Sequence, residues 1–249
     1  MAWVNKPSIF VGDLFENKVG DIAEVLEYIS AKEVKVKFLG HPDGYACFKA
    51  HHLRNGAFKN YMTPSVEGVG YIGGKLHQED RYIYVIWKSM LVRCYSAKHR
   101  EKFPCYNGYS VHKDWHNFQE FLKWYKTQEY KGEGFALDKD IIRDGNKQYS
   151  KDTCCLVPRD INNFFRKNIK VSNRGAPTGS VLDGSSLRVR ASIGGKRVDI
   201  GRTKDYKEAE DLYRAGRAKE AYNLYHKWVG KVDSAVTDVL NSMYKDYYT

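Results

Sequence analysis

The chain has 249 residues, enough for two or three small domains, and its 41 basic and 30 acidic side chains give a formal net charge of +11. No apolar run approaches the roughly 20 residues of a membrane-spanning helix, so we expect no membrane partner. The first residues lack the layout of a signal peptide, which favours a cytosolic protein. The basic excess is typical of proteins that bind nucleic acid, although many basic proteins are merely soluble.

Cysteine usage bears on disulfides and zinc. The number of cysteines is odd and no Cys-x-x-Cys pair occurs, so a disulfide framework is not expected. A zinc site could in principle join Cys94, Cys105, His99 or His112, but the spacing of these residues matches no regular zinc finger. We therefore expect buried reduced thiols and no structural zinc.

Residues 1–75 are predicted to form a small β-rich accessory domain, either a barrel or a sheet. Short strand-like runs at 23–28, 33–39 and 45–49 are separated by turn signals. In the second run Lys35 and Lys37 alternate with apolar residues, which gives the sheet a basic side. That side is either solvated or a DNA contact.

Residues 76–166 are predicted to start with a polar connector and two helices. From residue 86, Trp87, Met90 and Leu91 recur on one helical face. A second helix over 115–125 is predicted, with Asp114 as its N-cap. We expect both helices to support a neighbouring site through core aromatic side chains.

His112 and His116 are four residues apart, which on one helix would be metal-ligand spacing. The predicted cap at Asp114 falls between them and favours the alternative of surface or capping histidines.

The stretch FALDKDIIRDGNKQYSKDTCCLVPRDINNFF, residues 135–165, is predicted to form a strand, a loop, a return strand and a helix that Pro158 starts. A metal-dependent phosphodiesterase needs oxygen ligands for a hard cation and a base for water. Asp138, at the strand end, can be one ligand. Asn162 or its neighbour Asn163, on the helix, can be the second. This order predicts a site for Mg²⁺ or Mn²⁺.

Residues 167–177 are predicted to be a basic linker. Lys167, Lys170 and Arg174 either follow a DNA backbone or belong to a plain tether.

Residues 178–230 are predicted to form a three-stranded sheet covered by one helix. Strands at 180–182, 187–193 and 197–200 are joined by the turns Asp183-Gly184 and Gly194-Gly195, and the helix starts near Lys207. The free face is predicted to be cationic through Arg188, Arg190, Lys196, Arg197 and Arg202. Such a sheet can enter the major groove, where arginine reads guanine and holds phosphates. The alternative is that the arginines only solubilise an open face.

Residues 231–249 are predicted to be an amphipathic tail helix. It docks either on its own protein or on a second copy, and we favour a monomer.

Several pieces together resemble the HNH endonucleases, in particular phage-borne homing-type members with an AP2-like DNA-binding module. The resemblance covers roughly residues 82–229 and depends on the order of its pieces: WKSMLVRCY, YNGYSVHKDWHNFQEFLKWY, LDKDI-x2-DGNKQYSKDTCCLVPRDINN and SLRVRASIGGKRVDIGRTKDYKEAEDLY. The implied fold class is α+β, with the small N-terminal β domain, a ββα-metal hairpin-helix core with two supporting helices, and an AP2-like sheet plus helix.

The resemblance also implies residue roles. Asp138 falls where the family has its metal-binding Asp, and Asn162 where it has the helix ligand. Lys139 stands in place of the general-base His. Lysine is protonated at pH 7 unless burial lowers its pKa by several units, so the base is either a tuned Lys139 or another group such as His112 or His116.

Three functions follow as alternatives. The first is a sequence-targeted, metal-dependent DNA endonuclease in the cytoplasm of an infected bacterial host. The second is a catalytically degenerate relative that binds duplex DNA as a repressor or accessory factor. The third is a basic protein of another kind, such as an RNA-binding protein.

Overall fold

The structure, a computed structural model, describes residues 8–41, 43–166 and 176–248, with side chains described up to residue 245. It is a mixed α+β protein whose contacts cluster into two compact units, residues 1–126 and 127–249. The boundary between the two units falls inside the predicted domain 76–166, so it differs from the boundaries of the five-part division predicted from the sequence.

The first unit begins with an antiparallel sheet of four strands that pair in chain order: β1 (Leu14–Glu16), β2 (Ile22–Ser30), β3 (Glu33–Phe38) and β4 (Tyr45–Phe48). Val25, Val34 and Phe38 lie in its core. The sheet prediction is confirmed for β2 to β4, while β1 was not predicted. Ser30 pairs with Glu33, so a two-residue turn joins β2 and β3.

Helices follow the sheet in the first unit: α1 (Ala50–Arg54), α2 (Arg81–Tyr95), α3 (Ala97–Lys102) and, after the short strand β5 (Ser110–Val111), α4 (Phe118–Thr127). Helix α2 starts before the predicted residue 86 because Ile83 is already buried in its first turn. Helix α3 was not predicted, since it buries no residue and has no apolar stripe.

Trp87 of α2 organises the helical part of the first unit. Its ring is fully buried, and its Nε1 donates a hydrogen bond of 2.6 Å to the carbonyl of Trp115. Trp115 lies in a short 3₁₀ turn, Lys113–His116, rather than in the predicted longer helix. That turn is capped by His112, so the predicted Asp114 cap was wrong.

The second unit contains the following elements in chain order: β6 (Phe135–Asp138), β7 (Gln148–Tyr149), β8 (Cys155–Pro158), α5 (Arg159–Phe165), β9 (Ser180–Asp183), β10 (Ser186–Ile193), β11 (Lys196–Thr203), α6 (Tyr206–Trp228) and α7 (Ser234–Tyr248). Strands β6 and β8 pair antiparallel, and β9, β10 and β11 form an antiparallel sheet with β10 in the centre. The predicted three strands plus one helix are confirmed.

Helix α6 begins where Asp205 caps it: the Asp205 carboxylate accepts a 2.7 Å hydrogen bond from the amide of Glu208. The first half of α6 packs on the sheet through Ala209. Its second half places Ala221 and Leu224 in a core shared with β8, α5 and α7. One helix therefore connects the sheet, the hairpin-helix element and the tail.

Three further contacts attach α6 to α5. Asp160 accepts hydrogen bonds from Lys227 Nζ at 2.6 Å and Trp228 Nε1 at 3.0 Å. Burial alone would raise the pKa of Asp160, but these two donors hold it below its usual value. The Arg217 guanidinium lies 3.6 Å from the centre of the Phe164 ring.

The tail helix α7 docks on its own chain, with Val236 and Leu240 buried in the same core. None of the helices that the structure describes has the length and apolar character needed to cross a membrane.

Candidate nucleic-acid interface and hydrolytic site

The uncovered face of the three-stranded sheet carries four arginines, Arg188, Arg190, Arg197 and Arg202, which we call the arginine face. Residues opposite one another in an antiparallel pair share a face. Arg188 pairs with Arg202, and Ser192, two residues after Arg190, pairs with Arg197. Leu187, Val189 and Ala191 alternate with them and are buried.

A β-bulge places Arg202 on this face. The register changes between Val189, which pairs with Gly201, and Arg190, which pairs with Asp199, so Ile200 is the extra residue. Strict alternation along β11 would send Arg197 and Arg202 to opposite faces. The sequence signal for this irregularity is Gly201, since an interior strand glycine often marks a bulge.

Two aspartates partly neutralise the arginine face. Asp199 accepts a 2.6 Å hydrogen bond from Arg190, and this bond, with the positive charges around it, lowers the pKa of Asp199. Asp183 Oδ2 lies 3.0 Å from Arg202 Nη2 and 3.8 Å from Arg188 Nε. At that distance Arg188 Nε, a buried donor, has no hydrogen-bond acceptor in the part of the chain that the structure describes. Four arginines and two aspartates leave a net charge of +2.

Lys196 differs from the other residues predicted for this face. It pairs with Ile193 and directly precedes Arg197, so the register places it on the opposite face of β11. It is exposed at the hairpin end next to the Gly194-Gly195 turn.

Glu220 positions that hairpin and was missed in the sequence. It is almost fully buried in α6, and its carboxylate accepts a 2.8 Å hydrogen bond from the amide of Gly194. The bond ties the tip of the β10–β11 hairpin to the helix. A single charged residue in a helix gives no local sign of such a distant partner.

Asp138, the first predicted metal ligand, ends β6 and caps the loop after it. Its Oδ1 accepts hydrogen bonds from the amides of Asp140 at 2.8 Å and Ile141 at 2.9 Å. Desolvation by burial outweighs these bonds and raises the pKa of Asp138. Within the described residues Oδ2 has no hydrogen-bond donor, so one carboxylate oxygen stays open to a cation.

Lys139, the predicted base, is 97% buried, with 3% of its surface exposed. Its ammonium donates to the Asp140 carboxylate and, at 2.9 Å, to the carbonyl of Asn146, and it lies 5.6 Å from the centre of the Tyr149 ring. Through these contacts Lys139 fixes the loop between β6 and β7.

Asn146 closes the same loop from the other side. Its Nδ2 donates to the carbonyls of Lys139 at 3.0 Å and Gln148 at 2.7 Å. The Thr153 hydroxyl donates a hydrogen bond to the carbonyl of Gln148 at 2.8 Å. Polar side chains thus fix the loop that follows Asp138, the residue with the open carboxylate oxygen.

Asn162 and Asn163 lie on α5, which packs against both β6 and β8. Asn162 is half-buried and Asn163 is exposed. In the part of the chain that the structure describes, neither side chain makes a hydrogen bond, so both amide oxygens are open.

The oxygen donors fit a hard divalent cation in kind. Mg²⁺ needs only one or two carboxylates because it keeps several waters, and Asp138 with Asn162 offers one carboxylate and one amide oxygen. Among residues 8–41, 43–166 and 176–248, no group of three His, Cys, Asp or Glu side chains converges to hold a metal.

His112 and His116 belong to the first unit. They do not share one α-helix, because His112 precedes the 3₁₀ turn and accepts a 3.4 Å hydrogen bond from the amide of Asp114. His116 Nε2 lies 3.3 Å from the Tyr95 hydroxyl. His116 also lines a cleft of about 620 Å³ together with Asp114 and Glu120.

Three predicted DNA contacts, Lys167, Lys170 and Arg174, lie outside the described residues. Comparisons of the chain with protein-family models, with curated proteins and with solved structures found no match.

Proposed function

We propose that the protein binds duplex DNA and that the arginine face is its recognition surface. The observation that carries this proposal is the register of β10 and β11, in which a bulge gathers four arginines on one uncovered face. A small sheet of this kind matches the major groove, which is about 12 Å wide and admits a two-stranded ribbon. The partner aspartates fix the arginine side chains without cancelling their charge.

The AP2-like resemblance of residues 178–230 supports the same assignment, since that module binds DNA through its sheet. The buried Arg188 Nε, which has no acceptor, adds a donor that a phosphate or a guanine edge can satisfy after a small side-chain movement. The hydrogen bond from Gly194 to Glu220 holds the hairpin against α6, which reduces the ordering cost of binding.

The test is duplex binding by the variant Arg188→Ala plus Arg190→Ala. We expect at least a tenfold loss of affinity and a salt dependence flatter by about 2 in the slope of log K against log salt, since each lost phosphate contact removes about 0.9. Fluorescence anisotropy over a range of salt concentrations measures both.

The matched control is Arg214→Ala combined with Lys207→Ala, which removes two positive charges from α6 in the same sheet-helix region. It should bind like the wild type. Equal losses in the two variants would show that net charge alone matters and would contradict the assignment of the arginine face.

A second candidate function is metal-dependent cleavage of DNA. The open Oδ2 of Asp138 and the unbonded amide of Asn162 favour it. A bound Mg²⁺ would supply charge stabilisation of the leaving oxygen, while Asp138 and Asn162 would hold it beside a phosphate. Lys139 directs its amine at the Asp140 carboxylate and the Asn146 carbonyl, so it is suited to fixing the loop rather than to activating a water molecule. This supports the degenerate, binding-only alternative.

Plasmid nicking with Mg²⁺ or Mn²⁺ separates cleavage from binding alone. If the site cuts, Asp138→Ala should lower the nicking rate by about 100-fold or more while duplex affinity changes less than twofold, because removing a metal ligand typically abolishes its charge stabilisation. Wild-type protein that binds tightly and never nicks would leave only the binding function.

A further inference from the structure

Residues 96–113 of the first unit form a basic surface segment that the arginine face does not explain. We call it the basic segment. It contains four cations, Lys98, Arg100, Lys102 and Lys113, and one acidic residue, Glu101, which gives a net charge of +3. Lys98, Lys102 and Lys113 are exposed and Arg100 is half-buried. Helix α3, which carries three of the cations, buries none of its residues.

Among the described residues, no acidic side chain lies within ion-pair distance of any of these four cations. Some exposed cations elsewhere do have acidic partners: Lys35 pairs with Glu27 at 2.6 Å, Lys123 with Glu120 at 2.6 Å, and Arg214 with Asp211 at 3.5 Å. Lys98 and Lys102 are four residues apart on α3, so their positive charges repel each other. A bound polyanion would reduce this repulsion.

Packed aromatic rings give the segment a fixed shape. The His99 ring lies 4.8 Å from that of Phe103 and 5.4 Å from that of Tyr106, and Tyr106 lies 5.5 Å from Tyr109. These ring contacts join α3 to the turn that follows it. The cations therefore project from an ordered backbone rather than from a disordered tail, which lowers the entropy cost of binding.

We propose that the basic segment is a second surface for the phosphate backbone of duplex DNA, independent of the arginine face. This inference rests on the proposed duplex binding. Lysine binds a phosphate as a point charge. Among the described residues, this segment has no arginine whose guanidinium is held by a carboxylate, which is the arrangement suited to reading a base edge. Its contribution is to affinity at all sequences, while sequence preference comes from the sheet.

The test compares the full-length variant Lys98→Ala, Arg100→Ala, Lys102→Ala with the wild type on duplexes of two unrelated sequences. Three lost phosphate contacts should flatten the slope of log K against log salt by about 2 to 3 on both sequences, with the ratio of the two affinities unchanged. Alanine is the strongest helix former, so α3 should persist, and circular dichroism checks this.

The control variant Lys123→Ala, Lys207→Ala, Arg214→Ala removes the same total charge from exposed cations outside both proposed surfaces, two of which already have acidic partners. It should leave the slope within about 1 of the wild-type value, since contacts rather than net charge set the slope. Equal slopes for the two triple variants would overturn the proposal.

Further outcomes distinguish a failure of this inference from a failure of the proposed function. If the wild type binds duplex DNA and the arginine-face variant weakens binding, but the basic-segment variant behaves like its control, only the second surface is rejected. A wild type that binds no duplex rejects the proposed function itself. Loss of binding to phosphatidylserine vesicles in the basic-segment variant, with unchanged DNA binding, would assign the segment to a membrane surface instead.

Discussion

Gly216→Val is expected to lower the free energy of unfolding of the second unit by about 3 kcal/mol, the upper end of the range for overpacking. Gly216 is the point where α6 lies directly on β10. A Cβ at this position would come within 2.6 Å of the Ala191 Cβ and 3.3 Å of the Ile200 side chain. Both neighbours are held by the sheet, so α6 must move outward. Urea denaturation followed by hydrogen exchange of α6 measures the loss.

A graded series tests this explanation. Gly216→Ala should also destabilise, although alanine improves helix propensity by about 1 kcal/mol, because the first carbon of the side chain already clashes. Adding Ala191→Gly removes the opposing Cβ and should restore most of the loss. A Gly216→Ala variant more stable than the wild type would show that α6 does not pack this closely on β10. The same series should weaken duplex binding if α6 positions the arginine face.

Lys139→Met is expected to destabilise the second unit by about 1 to 3 kcal/mol, the cost of leaving a partly buried acceptor without its donor. Methionine keeps the apolar stem but leaves the Asn146 carbonyl unbonded. The lost pairing with Asp140 adds little, because the Asp140 side chain is 47% exposed. Urea denaturation gives the size of the effect, and faster hydrogen exchange in the loop between β6 and β7 gives its location.

Lys147→Met is the matched control, since Lys147 is an exposed lysine of the same loop with no partner among the described residues. It should change stability by less than about 0.5 kcal/mol, as surface substitutions do. The comparison also separates the two roles of Lys139. If Lys139 is a catalytic base, Lys139→Met should abolish nicking and leave stability unchanged. If Lys139 only fixes the loop, the same variant should lose stability whether or not the protein nicks DNA.

Local periodicity in the sequence determined most elements and which face of each is buried. Leu187, Val189 and Ala191 alternate with arginines, so the helix-covered and open faces of β10 followed from the pattern alone. The Gly194-Gly195 turn and the helical spacing of Val232, Val236 and Leu240 predicted the hairpin and the tail helix in the same way. Helix α3 was missed because a fully exposed helix has no apolar period.

Only the tertiary structure decided the register and the partners. The bulge at Ile200, which brings Arg202 beside Arg188, depends on how β11 pairs with β10 and packs under α6. The ammonium of Lys139 is buried because Asn146 and Tyr149 close over it, and Glu220 is buried because Gly194, 26 residues away, comes to it. Strand register and the burial of charged groups depend on contacts between distant residues, whose energies no local pattern of residue types records.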